Sequence, residues 1–103
     1  SLQYKVEEFT DEAVVKISGW ALNRKTLRAG TLNIVLTGQD KQQYIVKSER
    51  LYRPDVRDAF GKRRLAFAGF EAAFIKQNLP KQHYEVSLVL DGDARMVGSI
   101  VVA

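Results

Sequence analysis

The sequence predicts an all-β domain, an antiparallel β-sandwich of immunoglobulin-like kind with about seven strands, and three observations carry that prediction. Apolar and polar residues alternate through most of the apolar stretches, the period of strands with one buried face. Turn signals return about every 10 to 12 residues, a spacing that suits a sandwich and leaves a closed barrel open as the alternative. Only one stretch, residues 53–61, reads as a helix. At 103 residues the chain makes one domain, residues 1–103, with one core. Ser1 runs straight into a strand pattern, which reads as the edge of a module excised from a longer protein.

Taken in order, Leu2 to Phe9 alternates, with Leu2, Tyr4 and Val6 on one side and Gln3, Lys5 and Glu7 on the other. A turn at Thr10-Asp11-Glu12 leads into a second strand from Ala13 to Leu22. There Val15, Ile17 and Gly19 face one way and Val14, Lys16, Ser18 and Trp20 the other, with the phase blurred at Gly19. A glycine inside a strand points to a bulge or a close approach by another backbone. Trp20, the largest side chain, is expected to fill core. Asn23 to Gly30 is a polar loop, and Thr31 to Thr37 sends Leu32, Ile34 and Leu36 inward. Gly38-Gln39-Asp40-Lys41 closes a hairpin into a strand from Tyr44 to Glu49. Gly69 to Lys76 is a further strand carrying Phe70, Ala72 and Phe74 on one face. After a turn at Asn78-Leu79-Pro80-Lys81, Tyr84 to Leu90 pairs through Asp91-Gly92 with a last strand from Arg95 to Val102.

The helical stretch has its own signals. Pro54 suits the first helical position, Asp55 complements the positive helix start, and Gly61 suits a left-handed stop, which bounds a helix over 54–60. Val56 and Phe60, four apart, share an apolar face, while Arg57 and Asp58 point elsewhere. Sixteen Lys plus Arg against twelve Asp plus Glu give a net charge of +4, and the excess is concentrated here. Arg50, Arg53, Arg57, Lys62, Arg63 and Arg64 form the candidate binding patch, with Lys62 to Arg64 expected on a loop after the Gly61 stop. Such a patch suits phosphate, an anionic polymer or anionic lipid headgroups; the plainer reading is a solvated face beside the helix.

The chemistry-bearing residues are sparse. His83 is the only histidine, no Ser stands in a nucleophile elbow, and no Gly-rich phosphate loop or metal-spaced cluster occurs. Asp55 and Asp58 are flanked by Arg, which keeps both ionised, unlike an acid and base with split pKa values. No Cys is present, so disulfides and thiolate metal sites are excluded, and no apolar run approaches the ~18 residues of a membrane helix. These features argue against an enzyme and imply no metal and no cofactor. Phe9, Trp20, Phe67, Phe70 and Phe74 sit among aliphatic rather than basic residues, which disfavours a nucleic-acid-binding β-barrel.

Gly19-Trp20-Ala21 after an apolar strand, Arg53-Pro54-Asp55-Val56 with Ala59-Phe60-Gly61, then Gly69-Phe70, a Leu79-Pro80 turn and Tyr84 before a closing strand form a recognisable set. It resembles the small β-sandwich modules appended to bacterial cell-surface polysaccharide glycosyltransferases, including those of capsule, rhamnan and teichoic acid assembly. The resemblance covers Ile17 to Val102 and rests on structural residues, chiefly Trp20, Pro54, Asp55, Phe60, Gly61 and Phe70. It implies a non-catalytic accessory domain that binds or positions an acceptor glycan or anionic polymer, the parent transferase carrying catalysis in a separate domain. It further implies a cytoplasmic setting at the inner face of the membrane, reached through the parent. This chain departs from the pattern in the extra basic residues Arg57 and Lys62 to Arg64. The alternative is a protein-protein or self-association module, a homo-oligomer included, that binds no glycan.

Overall fold

The computed structural model describes all 103 residues. Eight strands form two antiparallel sheets. They are β1 (Leu2–Asp11), β2 (Val14–Asn23), β3 (Leu32–Gly38), β4 (Gln43–Lys47), β5 (Glu49–Leu51), β6 (Gly69–Ile75), β7 (His83–Leu90) and β8 (Asp93–Val101), with helix α1 (Pro54–Phe60) between β5 and β6. One sheet has the order β1-β2-β6-β5 and the other β4-β3-β7-β8, the connectivity of an immunoglobulin-like sandwich.

The alternation read from the sequence sets the main core. Val15 and Ile17 of β2, Phe70 and Ala72 of β6, Ile34 and Leu36 of β3, and Val86 and Leu88 of β7 are buried between the sheets. One place breaks the period of two: Val6 and Phe9 both pack on this core although they are three apart. A β-bulge at Glu7 absorbs the extra residue, since Val6 pairs with Gly19 and Glu8 with Ser18. Gly19 is what lets the bulge close, because a Cβ there would lie 2.0 Å from the Lys5 carbonyl oxygen. The glycine that blurred the sequence pattern is thus a close-approach site.

Two boundaries differ from the sequence expectation. The stretch Tyr44 to Glu49 is not one strand. β4 ends at Lys47, the Ser48 hydroxyl donates to the Leu32 carbonyl at 2.9 Å, and Glu49 starts β5 in the opposite sheet. Lys62 to Arg64 is not an open loop either, since Arg63–Leu65 forms a 3-10 turn that buries Leu65. At the opposite end of the sandwich the Tyr84 hydroxyl donates to the Pro80 carbonyl at 2.6 Å. A tyrosine at the start of a strand reaching back over the preceding turn is the tyrosine corner of immunoglobulin-like sandwiches.

Helix α1 does not enter the main core. It lies on the outer face of the β1-β2-β6-β5 sheet, where it makes a second apolar cluster. Trp20 and Leu22 alternate outward from β2, and Val56, Leu65 and Ala68 close over them with Phe60 packed at the side. Trp20 is therefore partly buried and meets Phe60 edge to face, ring centroids 6.1 Å apart. Pro54 stands at the helix start as expected, and the helix stops in a Schellman motif. Gly61 is left-handed at φ 65°, its N–H donates to the Asp58 carbonyl, and the Lys62 N–H donates to the Arg57 carbonyl.

Candidate functional site

The six basic residues of the candidate patch all lie around α1 and the 3-10 turn, but their surroundings divide them. Arg50 reaches inward from β5. Its Nη1 donates to the carbonyls of Ala21 (3.1 Å) and Ala68 (3.0 Å), and its Nη2 donates to those of Ala29 and Gly30. One guanidinium thus ties β2, the start of β6 and the end of the 23–30 loop. Its Nε is buried without a partner, and burial pulls its pKa down to about 10, so it stays charged at neutral pH. Four backbone carbonyls occupy its two terminal nitrogens, and the Asp91 carboxylate partly offsets the burial of its charge.

Arg53 is held twice over. It donates from Nη1 and Nη2 to the two carboxylate oxygens of Glu7 (2.5 and 3.1 Å), and from Nε and Nη2 to those of Asp55 (2.9 Å each). The β1 bulge places Glu7, and the bare Gly69 makes room, since a Cβ there would stand 2.5 Å from the Arg53 Cγ. The shared guanidinium holds the Asp55 carboxyl down at about 2 and lowers that of Glu7. Arg64 donates from Nε to the Leu27 carbonyl (2.8 Å) and from Nη2 to the Thr26 carbonyl (2.9 Å), which fastens the 3-10 turn to the 23–30 loop.

Arg57, Lys62 and Arg63 remain as the outward-facing cations. With Asp58 and Gly61 they line a shallow hollow at the C-terminal end of α1 that no hydrophobic residue enters. Arg57 donates from Nε to Asp58 (2.9 Å), while Lys62 and Arg63 are exposed and take part in no ion pair. Of the structural signature, Phe70 is in the main core, whereas Trp20 and Phe60 belong to the outer cluster. Sequence reasoning passed over Tyr52 and set Phe67 aside as lying among aliphatic residues; both are exposed, Tyr52 meets Arg57, and the Tyr52 and Phe67 ring centroids lie 5.5 Å apart. Their signal was present: both interrupt the alternation next to the helix, at positions no strand face claims.

A second hollow at the far end of β3 and β7 brings together His83, Glu85 and Ser99. No hydrogen bond joins any two of these side chains, so the arrangement does not prepare Ser99 as a nucleophile. No three His, Cys, Asp or Glu side chains converge as metal ligands do, and no helix is long and apolar enough to cross a membrane. No protein family, no curated protein and no solved structure matches the chain.

Proposed function

We propose that this domain is a non-catalytic binding module for an anionic polymer, an acceptor glycan of the cell envelope being the ligand that the sequence resemblance favours, and that it serves a glycosyltransferase at the inner face of the membrane. One observation carries the reading. Lys62 and Arg63 are presented without ion-pair partners at the rim of an open polar hollow, on a platform that Arg53 and Arg64 hold in place. Exposed, unpaired cations on a fixed turn suit a ligand whose negative charge recurs along its length, because such a chain needs no deep pocket and gains from each charge it meets. Arg64 holds that platform, so its loss disturbs the turn as well as the charge.

The test is a titration of the wild-type chain and a Lys62→Gln/Arg63→Gln variant against polyphosphate and dextran sulfate at two ionic strengths. Wild-type binding is expected to weaken several-fold from low to physiological salt, and the variant to bind several-fold more weakly at low salt with an unchanged melting temperature. Equal binding by the two proteins, or none by either, would overturn the reading and leave protein-protein contact as the role of this face.

A further inference from the structure

The anion reading makes no use of Tyr52 and Phe67, which flank α1 and the 3-10 turn. Tyr52 is 53% and Phe67 57% exposed. Their rings are tilted at 52° and touch each other, yet each leaves more than half its surface in water, an unfavourable place for large apolar groups with no occupant. Arg57 fixes Tyr52, and Phe67 through it, to the hollow. Its Nη1 donates to the Tyr52 hydroxyl at 2.9 Å, its guanidinium carbon stands 5.8 Å from the Tyr52 ring centroid, and its Nε is held by Asp58. The residue that orients the aromatic face therefore also lines the cationic hollow with Lys62 and Arg63.

We propose that Tyr52 and Phe67 form a stacking subsite for a sugar ring, continuous with the anion-binding hollow, so that the polymer taken by this module is a charged glycan rather than a polyanion without rings. The inference rests on the proposed anion binding at the same site. A pyranose offers an apolar C–H face and a rim of hydroxyls. The exposed aromatic surface of Tyr52 and Phe67 matches the first, and the Asp58 carboxylate as acceptor and the Arg57 guanidinium as donor match the second. A single nucleic-acid strand fits less well. It calls for successive stacking platforms along a cationic groove, whereas here there is one aromatic pair.

Three probes separate these readings: a dextran sulfate oligosaccharide, which has rings and charge; polyphosphate, which has charge alone; and an oligothymidine, which has bases and phosphates. A Tyr52→Ala/Phe67→Ala variant is expected to bind dextran sulfate about tenfold more weakly than wild type, the scale of a lost stacking contact, and polyphosphate as tightly as before. Tyr52→Leu/Phe67→Leu, which keeps apolar bulk but no ring, should show the same loss, with melting temperatures checked for all variants. If the aromatic variants keep dextran sulfate affinity, or lose both probes equally, the sugar subsite is overturned while the anion reading stands on Lys62→Gln/Arg63→Gln. If that basic variant binds both polyanions like wild type, the anion reading falls and the subsite with it. Tighter binding of oligothymidine than of dextran sulfate, lost in the aromatic variants, would assign the platform to nucleic acid instead and overturn the sugar proposal.

Discussion

Arg53 shows how much one side chain carries in a small domain. Its stem crosses Gly69, and its head joins Glu7 on β1 to Asp55 in the first turn of α1, so the helix is braced to the far edge of its sheet. Lone surface ion pairs contribute little, but a guanidinium clamped bidentately by two carboxylates loses less in fixing its geometry. Both carboxyls titrate below their ordinary values, 3.8 for Asp55 and 4.5 for Glu7. A depressed carboxyl adds stability that is complete above its ordinary value and is lost as the pH falls through the folded one. Arg53→Met, which keeps the stem, is therefore expected to lower the melting temperature by a few degrees at pH 7. The difference from wild type should hold down to about pH 5 and shrink as the pH falls toward about 2. A difference that is constant over that range would mean that lost packing, not lost pairing, accounts for the change.

At the scale of elements, β2 is the strand that serves both cores, with Val15 and Ile17 toward the opposite sheet and Trp20 and Leu22 toward α1. The two clusters differ in size, and the smaller is closed only by a helix of seven residues and a 3-10 turn. Helices that short are held by packing rather than by propensity, so this cap should open independently of the sandwich. Phe60→Ala is expected to cost about 2 kcal/mol, less than a fully buried phenylalanine. In hydrogen exchange it should strip protection from residues 54–66 while leaving β3 and β7 as slow as before. Equal loss in β7 would show cap and sandwich to be a single cooperative unit. Most of this was legible: alternation placed the strands and their faces, and Pro54 and Gly61 bounded the helix correctly. Illegible were the features set by partners distant in the chain. Nothing near Ser48 announces a change of sheet, because the cue is the free Leu32 carbonyl 16 residues away. Arg50 and Arg64 look like patch cations until the 23–30 loop folds back and offers them its carbonyls. Helical spacing also could not tell that Val56 and Phe60 cover the outside of a sheet rather than the space between two.

Over the whole molecule, the two outer faces are unlike. One is covered by α1 and by pairs such as Lys16 with Glu8 and Glu71, while the other is bare, with Ile45 68% and Met96 61% exposed. That bare face is one place where a second copy would pack, and its most exposed large apolar side chains, Ile45 and Met96, lie in a single row. Register aligns Ile45, Val35, Ser87 and Met96 across the four strands, and the next row toward β7's start is Gln43, Thr37, Glu85 and Ser99. A stable pair needs about 800 Å² from each partner, more than such a row supplies. Edge-to-edge pairing is hindered too. β1 is bulged at Glu7 and β8 at Val97, β4 has only five residues, and β5 has three and runs into Pro54. The chain is therefore expected to sediment as a single 11.6 kDa species at micromolar concentration. If a dimer appears instead, Met96→Lys decides where it forms. Dissociation by that change would make the bare sheet an interface and favour the self-association reading, whereas a dimer indifferent to it but dispersed by salt would place the contact on the basic platform of Lys62 and Arg63.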